Sequence, residues 1–184
     1  MSKAVLEPNS AQEMVTMARQ AIEISQSGRP GPVVVVMPRD FGETKVDEDI
    51  EPRPYERKQV LSDQKSSNEL IDGLNKSVKP ILLAGELARG ENVRDLLIQL
   101  SDRLGAPVIS AYRCQDVVEN HHPCYAGHLE INPVEYQDKL FEESDFIAVL
   151  GSRLDGITSR EETLIKDDDK WAHIHPDNIV LERF

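Results

Sequence analysis

Hydrophobic patterns typical of helices and strands alternate along most of this chain. The first helix is predicted to begin at Ser10, because Ser10 and Glu13 have the spacing of a capping box and apolar residues follow at helical intervals as far as Gly28. A run of valines then begins at Val33, which is typical of a strand that is buried on both faces. The start of the chain is therefore predicted to be a helix followed by a buried strand.

Residues 41–65 interrupt this alternation. They contain prolines at positions 52 and 54 and mixed charges, and no helical or strand periodicity is sustained. Structureless loops of such length are rare inside a compact domain. We therefore expect residues 41–65 to be a linker between a short piece of one domain, residues 1–40, and a larger domain, residues 66–184.

The alternation resumes after the linker and predicts both helices and strands. Short apolar runs predict strands over residues 81–84, 107–111, 146–150 and 171–175. Helix starts are predicted at Ser66 with Glu69 as its capping partner, at Asn92, at the Asn132-Pro133 pair, and at Ser159 with Glu162. Strands that alternate with helices favour an α/β fold with a mostly parallel sheet, in which the loops 85–90, 112–128 and 151–158 follow strands.

Charge and composition narrow the class of protein. The formal net charge is −12 and the sequence pI is near 4.8, so binding of nucleic acid through a basic face is not expected. No apolar run approaches the length of a membrane span, and the first residues do not resemble a secretory signal. Because only Cys114 and Cys124 are present, a disulfide framework is not expected, although one bond between them is possible, and a reducing, cytoplasmic location is predicted.

Several short segments resemble one enzyme family. Gly-Arg-Pro-Gly-Pro-Val at residues 28–33 resembles the end of the pyrimidine-binding domain of thiamine-diphosphate enzymes of the acetolactate synthase type. Further segments resemble that family's central domain and occur in the family's order: Lys79–Gly85, Leu104–Val108, His122–Gly127, Ser144–Asp155 and His173–Asp177. Each segment alone is weak evidence, but the ordered series is specific.

This resemblance implies a three-layer, Rossmann-like central domain with a mostly parallel sheet, of the NAD/FAD-binding type that is similar to deoxyhypusine synthase, preceded by the last helix and strand of a pyrimidine-binding domain. It implies a parent enzyme that uses thiamine diphosphate and Mg²⁺, acts on 2-oxo acids and forms a homodimer or homotetramer. The family's Gly-Asp-Gly diphosphate motif is not in this sequence. We therefore expect a section of a longer protein, truncated within its central domain and inactive alone, with no catalytic residue of its own.

Candidate ligand-binding residues lie where predicted strands end, the position at which parallel sheets bind ligands. Some family members bind FAD at this edge, and the resemblance makes six residues candidates for FAD or nucleotide binding: Gly85, Arg113, Gly151, Ser152, Arg153 and Asp177. A purely structural role remains an alternative for each type of residue. The glycines fit ordinary turns, the arginines fit ion pairs in an acidic chain, and an Asp after a proline fits a turn.

One loop is rich in possible metal ligands. His121, His122, Cys124 and His128 could all bind zinc, but the usual paired spacings are missing and the resemblance explains His122-Pro123 without a metal. The sequence analysis therefore predicts no metal site. The run of aspartates at residues 167–169 is interpreted as a solvated loop.

Two other functional classes remain open from the sequence. The chain could be a stand-alone nucleotide-binding or regulatory module without thiamine chemistry, or an interaction domain that binds no small molecule. A coding sequence that ends at Phe184 would favour the stand-alone module.

Overall fold

The structure is a computed structural model that describes residues 2–46, 61–166 and 170–183. The contacts divide the chain into two compact units, Met1–Leu61 and Ser62–Phe184. The aspartate run at residues 167–169 and much of the expected linker lie outside the described residues. Among the helices that the structure describes, none has the length and apolarity needed to cross a bilayer.

In its described residues, 2–46 and 61, the first unit contains a two-stranded parallel sheet, one α-helix and a short 3-10 helix, Arg39–Glu43. Strand β1 (Ala4–Leu6) pairs with strand β2 (Val33–Val35), and helix α1 (Ala11–Gln26) connects them. The predicted cap at Ser10 is confirmed, because the Glu13 amide donates to Ser10 Oγ at 3.1 Å. The Glu13 carboxylate accepts the backbone amide of Asn9, one residue before the cap, at 2.7 Å.

The prediction that the run Val33–Met37 is buried on both faces is wrong. Val34 is 47% exposed and Met37 is 68% exposed. The physical reason is that β2 pairs with β1 and packs against α1, so one face of this small sheet remains open. Strand β1 was not predicted, since three residues are too few to show a period.

The second unit is a five-stranded parallel sheet with helices on both faces. Its strands are β3 (Pro80–Ala84), β4 (Val108–Ser110), β5 (Tyr125–His128), β6 (Phe146–Leu150) and β7 (Trp171–Ile174). Its helices are α2 (Gln64–Lys76), α3 (Glu91–Leu104), α4 (Glu135–Glu143) and the single turn α5 (Asn178–Leu181). The strand order β5-β4-β3-β6-β7 is Rossmann-like, and it confirms the predicted α/β fold.

Alternate residues of the central strands enter two separate cores. Leu82 and Ala84 of β3 face α2 and α3, where they pack with Leu74 and Leu97. Ile81 and Leu83 face the opposite side, where α4 contributes Phe141. Every residue of β3 is buried, as expected for a strand covered on both faces.

Three helix starts differ from the predicted ones, and only in α2 does a side chain cap the observed start. Helix α2 begins before Ser66, because Asp63 accepts the Ser66 amide at 2.9 Å and is the N-cap. Helix α3 begins before Asn92, and its cap is Gly90, whose carbonyl accepts the Arg94 amide. Helix α4 begins after Pro133, with Val134 as its cap.

The helix predicted from Ser159 and Glu162 is absent, and turns occupy these residues. Ser159 Oγ does accept the Glu162 amide at 3.2 Å, as a cap would. However, Arg160, Glu161 and Glu162 have φ of 52°, 53° and 68°, which is left-handed backbone that no α-helix can contain. Conversely, the predicted loop 112–128 contains strand β5 at its end.

The side chain of Asp145 links the end of α2 to the start of β6 at the amino edge of the sheet. Asp145, just before β6, accepts hydrogen bonds from the Ser77 hydroxyl and from the amides of Val78, at 2.8 Å, and Lys79, at 2.9 Å. These bonds, first the one from Ser77, lower the pKa of Asp145. The end of α2 is thereby fixed to the start of β6.

The Asp145→Asn variant should unfold more easily by about 1–2 kcal/mol at neutral pH, because charge-assisted hydrogen bonds are lost at a solvent-accessible site. The folded-state pKa of Asp145 is lowered, so its contribution is complete above the unfolded-state pKa and is lost as pH falls through the folded value. Urea unfolding at several pH values should show the difference from wild type shrinking in acid.

The matched control is Asp72→Asn, which removes an exposed ion pair with Lys76 on the surface of α2. We expect that variant to lose well under half as much stability. Equal losses for the two variants, or a difference that grows in acid, would contradict the role assigned to Asp145.

Candidate functional site

The candidate site is the carboxyl edge of the sheet, at the point between β3 and β6 where the strand order reverses. In doubly wound sheets this is the ligand-binding crevice. Here the turns that follow the two strands touch: a Cβ built on Gly85 would lie 2.2 Å from the Ser152 Cα atom. A side chain at residue 85 would therefore collide with main-chain atoms of the neighbouring turn.

The amides of the turn after β3 are used inside the protein. The Gly85 amide donates to the Leu150 carbonyl at 2.9 Å, and the Leu87 amide donates to the Gly151 carbonyl at 3.1 Å. The Ala88 amide donates to the Gly85 carbonyl at 3.0 Å, closing a short 3-10 turn. These three amides are therefore not presented to a phosphate, unlike those of a glycine-rich phosphate loop.

The turn after β6 is equally fixed. Gly151 has φ of 64°, a conformation that favours glycine, and its amide donates to the Ile174 carbonyl at 2.9 Å. Ser152 is 1% exposed, and its hydroxyl accepts the Leu154 amide at 3.1 Å. The side chain of Ser152 thus faces inward and stabilises the turn.

His173 of β7 also supports this turn. Its Nε2 atom lies 2.7 Å from the Ser152 carbonyl oxygen, and burial lowers the pKa of His173. A neutral ring that donates from Nε2 fits both observations. His175 follows on the same strand face, and its ring is 6.0 Å from that of His173.

Arg153 directly follows Ser152 and is the positively charged residue nearest in sequence to the contact between the two turns. Its side chain is 46% exposed, and its Nε atom lies 3.6 Å from a carboxylate oxygen of Asp155. The other carboxylate oxygen of Asp155 accepts the amides of Ile157 and Thr158, both at 3.1 Å. Arg153 therefore forms only a long ion pair with Asp155, and nearly half of its side chain is exposed at the sheet edge.

Arg113 lies beyond the end of β4, in the loop that follows it. Its backbone is left-handed, with φ of 59°, and its exposed guanidinium lies 5.1 Å from the centre of the Tyr112 ring. The Arg113 carbonyl accepts a hydrogen bond from Arg89 at 2.6 Å. Arg89 also pairs with Asp116 at 2.9 Å. Desolvation raises the pKa of Asp116, but the hydrogen bonds from Arg89, a backbone hydrogen bond and the charges of Arg89 and Arg94 together lower it.

Asp177 serves as the N-cap of α5. One of its carboxylate oxygens accepts the Ile179 amide at 3.1 Å, which is the turn-forming role that the sequence left open for this residue. The structure thus brings Gly85 into contact with Ser152, and it brings Gly151 against Leu87 of the turn that begins at Gly85. Arg153 is next in the chain. Within the part of the chain that the structure describes, no hydrogen bond or ion pair joins Arg113 or Asp177 to Gly85, Gly151 or Ser152.

Two residues that the sequence analysis did not select help to build this edge. Thr158 is fully buried, and its hydroxyl accepts the Tyr112 amide at 3.1 Å, which connects the loops after β4 and β6. Arg89 connects the turn after β3 to the loop after β4. Neither residue belongs to a local motif, because each acts across a long stretch of sequence.

Comparison with known proteins identifies the family. Residues 67–183 match the model of the thiamine pyrophosphate enzyme central domain. Acetolactate synthase from Arthrospira platensis is 28% identical over 166 residues, covering 84% of this chain and 28% of that protein. Sulfoacetaldehyde acetyltransferase from Alcaligenes xylosoxydans is 30% identical over 125 residues, covering 67% of this chain and 20% of that protein.

A solved structure supports the same assignment of fold. The thiamine diphosphate-dependent 4-hydroxybenzoylformate decarboxylase of Rhodococcus jostii RHA1 superposes with a TM-score of 0.78 at 24% identity, covering 99% of this chain and 35% of that one. The chain belongs to the thiamine pyrophosphate enzyme family and carries its central domain. It spans between a fifth and about a third of the lengths of these relatives.

Proposed function

We propose that this chain is the middle section of an enzyme that resembles acetolactate synthase and acts on 2-oxo acids by decarboxylation and carboligation. The observation that carries the proposal is the match of residues 67–183 to the central domain, together with acetolactate synthase relatives that extend far beyond it. Thiamine diphosphate, when bound, supplies the carbanion chemistry of such reactions.

The residues described here do not fit thiamine diphosphate and its Mg²⁺. The sequence has no Gly-Asp-Gly segment to hold the diphosphate. Within the described ranges, the one group of three candidate metal ligands contains a thiol and an imidazole, whereas Mg²⁺ prefers oxygen ligands. We therefore assign cofactor binding and catalysis to other sections of the longer protein, and none to this chain.

Exposed apolar surface on each unit supports the proposal that more chain belongs here. In the first unit, Val34 and Met37 are exposed beside a sheet of only two strands, which is marginal in water without further cover. In the second unit, Leu96 of α3 is 62% exposed and Ile174 of β7 is 45% exposed, and both line one apolar groove. Groups of this kind are normally covered by additional structure.

The central domain is proposed to be a scaffold for a cytoplasmic homodimer or homotetramer, with its carboxyl edge available to FAD or another nucleotide. Gly85, Gly151 and Ser152 form the floor of that edge through their mutual packing. Since the amides of Gly85, Leu87 and Ala88 are already bonded, we propose that the phosphates are held by the exposed guanidinium groups of Arg113 and Arg153. Asp177 would have only a supporting position, because its carboxylate caps α5.

The nucleotide role predicts that FAD raises the melting temperature of the chain and that Arg153→Gln or Arg113→Gln weakens FAD binding about three- to tenfold, through loss of a charge-assisted phosphate contact. Quenching of flavin fluorescence during titration measures the affinity. The control is Arg103→Gln in the last turn of α3, at the opposite edge of the sheet, which should bind FAD as the wild type does.

Failure of FAD, NAD and ADP alike to change the melting temperature would refute the nucleotide role while leaving the thiamine family unaffected. Equal weakening by Arg103→Gln would show a nonspecific charge effect and would also count against the site.

The catalytic proposal predicts that the 184-residue chain releases no CO₂ from pyruvate when thiamine diphosphate and Mg²⁺ are supplied, whereas the protein from the full coding sequence does. The reason is that the diphosphate-binding motif lies outside this sequence. Coupled detection of CO₂ measures both. Turnover by the 184-residue chain, or a coding sequence without a Gly-Asp-Gly segment after residue 184, would overturn the proposal.

A further inference from the structure

A second cluster of reactive side chains lies at the amino edge of the sheet, opposite the candidate nucleotide site. Asp102 is in the last turn of α3, and His122 and Cys124 are in the loop that enters β5. The Cys124 carbonyl accepts the Val108 amide at the start of β4, at 2.8 Å, which fixes this loop against the beginning of the sheet.

The three side chains point their ligand atoms at one another. One ligand atom from each of Asp102, His122 and Cys124 lies within 4.8 Å of both others. His122 Nε2 is 3.5 Å from Asp102 Oδ1, and Cys124 Sγ is 3.9 Å from the same oxygen. In a tetrahedral zinc site, bonds of about 2.0–2.3 Å separate ligand atoms by about 3.3–3.5 Å. The observed distances approach that arrangement without a change of backbone.

The main chain around the cluster is held independently of any metal. The His122 amide donates to the Glu119 carbonyl at 2.9 Å, and the Tyr125 amide donates to the His122 carbonyl at 2.9 Å. Helix α3 holds Asp102. The side chain of His122 is only 15% exposed, whereas that of Asp102 is 60% exposed. Two anchored ligands with one side open to solvent leave room for metal entry and for a water ligand.

We propose that Asp102, His122 and Cys124 bind one zinc-class divalent cation, with water as the fourth ligand. A thiolate, an imidazole and a carboxylate are a donor set that suits Zn²⁺ or Co²⁺ and does not suit Mg²⁺ or Ca²⁺. The site lies at the amino edge of the sheet, opposite the edge proposed for the nucleotide. Its effect is structural, because the cation links the end of α3 to the loop before β5.

Zinc binding changes the protonation of Cys124 and the tautomer of His122. Binding removes the thiol proton of Cys124 to solvent, since the thiolate is the metal ligand. Nε2 of His122 gives its lone pair to the cation, so the ring proton is carried by Nδ1. The bond from the Cys124 amide to Nδ1, already long at 3.3 Å, is then given up. Metal binding is therefore accompanied by release of one proton and strengthens as pH rises.

The experiment is a Co²⁺ titration of the reduced 184-residue chain, followed by ultraviolet and visible absorption. We expect one equivalent of Co²⁺ to produce a thiolate-to-cobalt charge-transfer band that Zn²⁺ abolishes, and Zn²⁺ to raise the melting temperature. Cys124→Ser should remove the band. His122→Gln and Asp102→Asn should each weaken binding more than about tenfold, since even groups that only support a ligand contribute about 10–100-fold.

The matched control is His121→Gln, which alters the adjacent exposed histidine outside the cluster and should leave the titration unchanged. The absence of a charge-transfer band in the wild-type chain would overturn the proposal. So would a band that survives in Cys124→Ser, or a loss in His121→Gln equal to that in His122→Gln, because either result places the metal elsewhere.

Discussion

The contact between the turn after β3 and the turn after β6 fixes the geometry of the sheet's carboxyl edge. Gly85 lies against the Ser152 backbone, and the amides of Gly85 and Leu87 donate to carbonyls of residues 150 and 151. This contact joins the two halves of the sheet where their connections diverge. Because the amides of Gly85, Leu87, Ala88 and Gly151 donate to carbonyls within the domain, they are not presented to a ligand at this edge.

Regular elements with strong hydrophobic signals were predictable from the sequence. The fully apolar strands β3 and β6, the helix α1 with its capping box, and the alternating order that defines the α/β fold all follow from local patterns. Strand β5 was missed because Tyr125–His128 is half-buried and contains a glycine and a histidine. The turns at residues 160–162 were misread because a serine cap says nothing about the left-handed residues after it.

The candidate sites depend on distant residues, which a single sequence does not pair. The sequence analysis predicted no metal site, and it weighed only His121, His122, Cys124 and His128, which are close together in the sequence. The structure places Asp102 of α3 beside two of these residues, His122 and Cys124. Likewise, the roles of Arg89 and Thr158 arise from bonds between separate loops. The family's motifs predicted which strand ends to consider, but the inward orientation of Ser152 and the capping by Asp177 required coordinates.

The most direct test of the contact between the two turns is the unfolding free energy of the Gly85→Ala variant, compared with that of Gly90→Ala from the same turn. A Cβ at residue 85 would lie 2.2 Å from the Ser152 Cα atom, while one at residue 90 meets its nearest neighbour at 3.6 Å. We expect Gly85→Ala to lose about 1–3 kcal/mol or more, through forced backbone displacement, and Gly90→Ala to lose clearly less. A Gly85→Ala protein as stable as the wild type would show that the two turns do not pack as described.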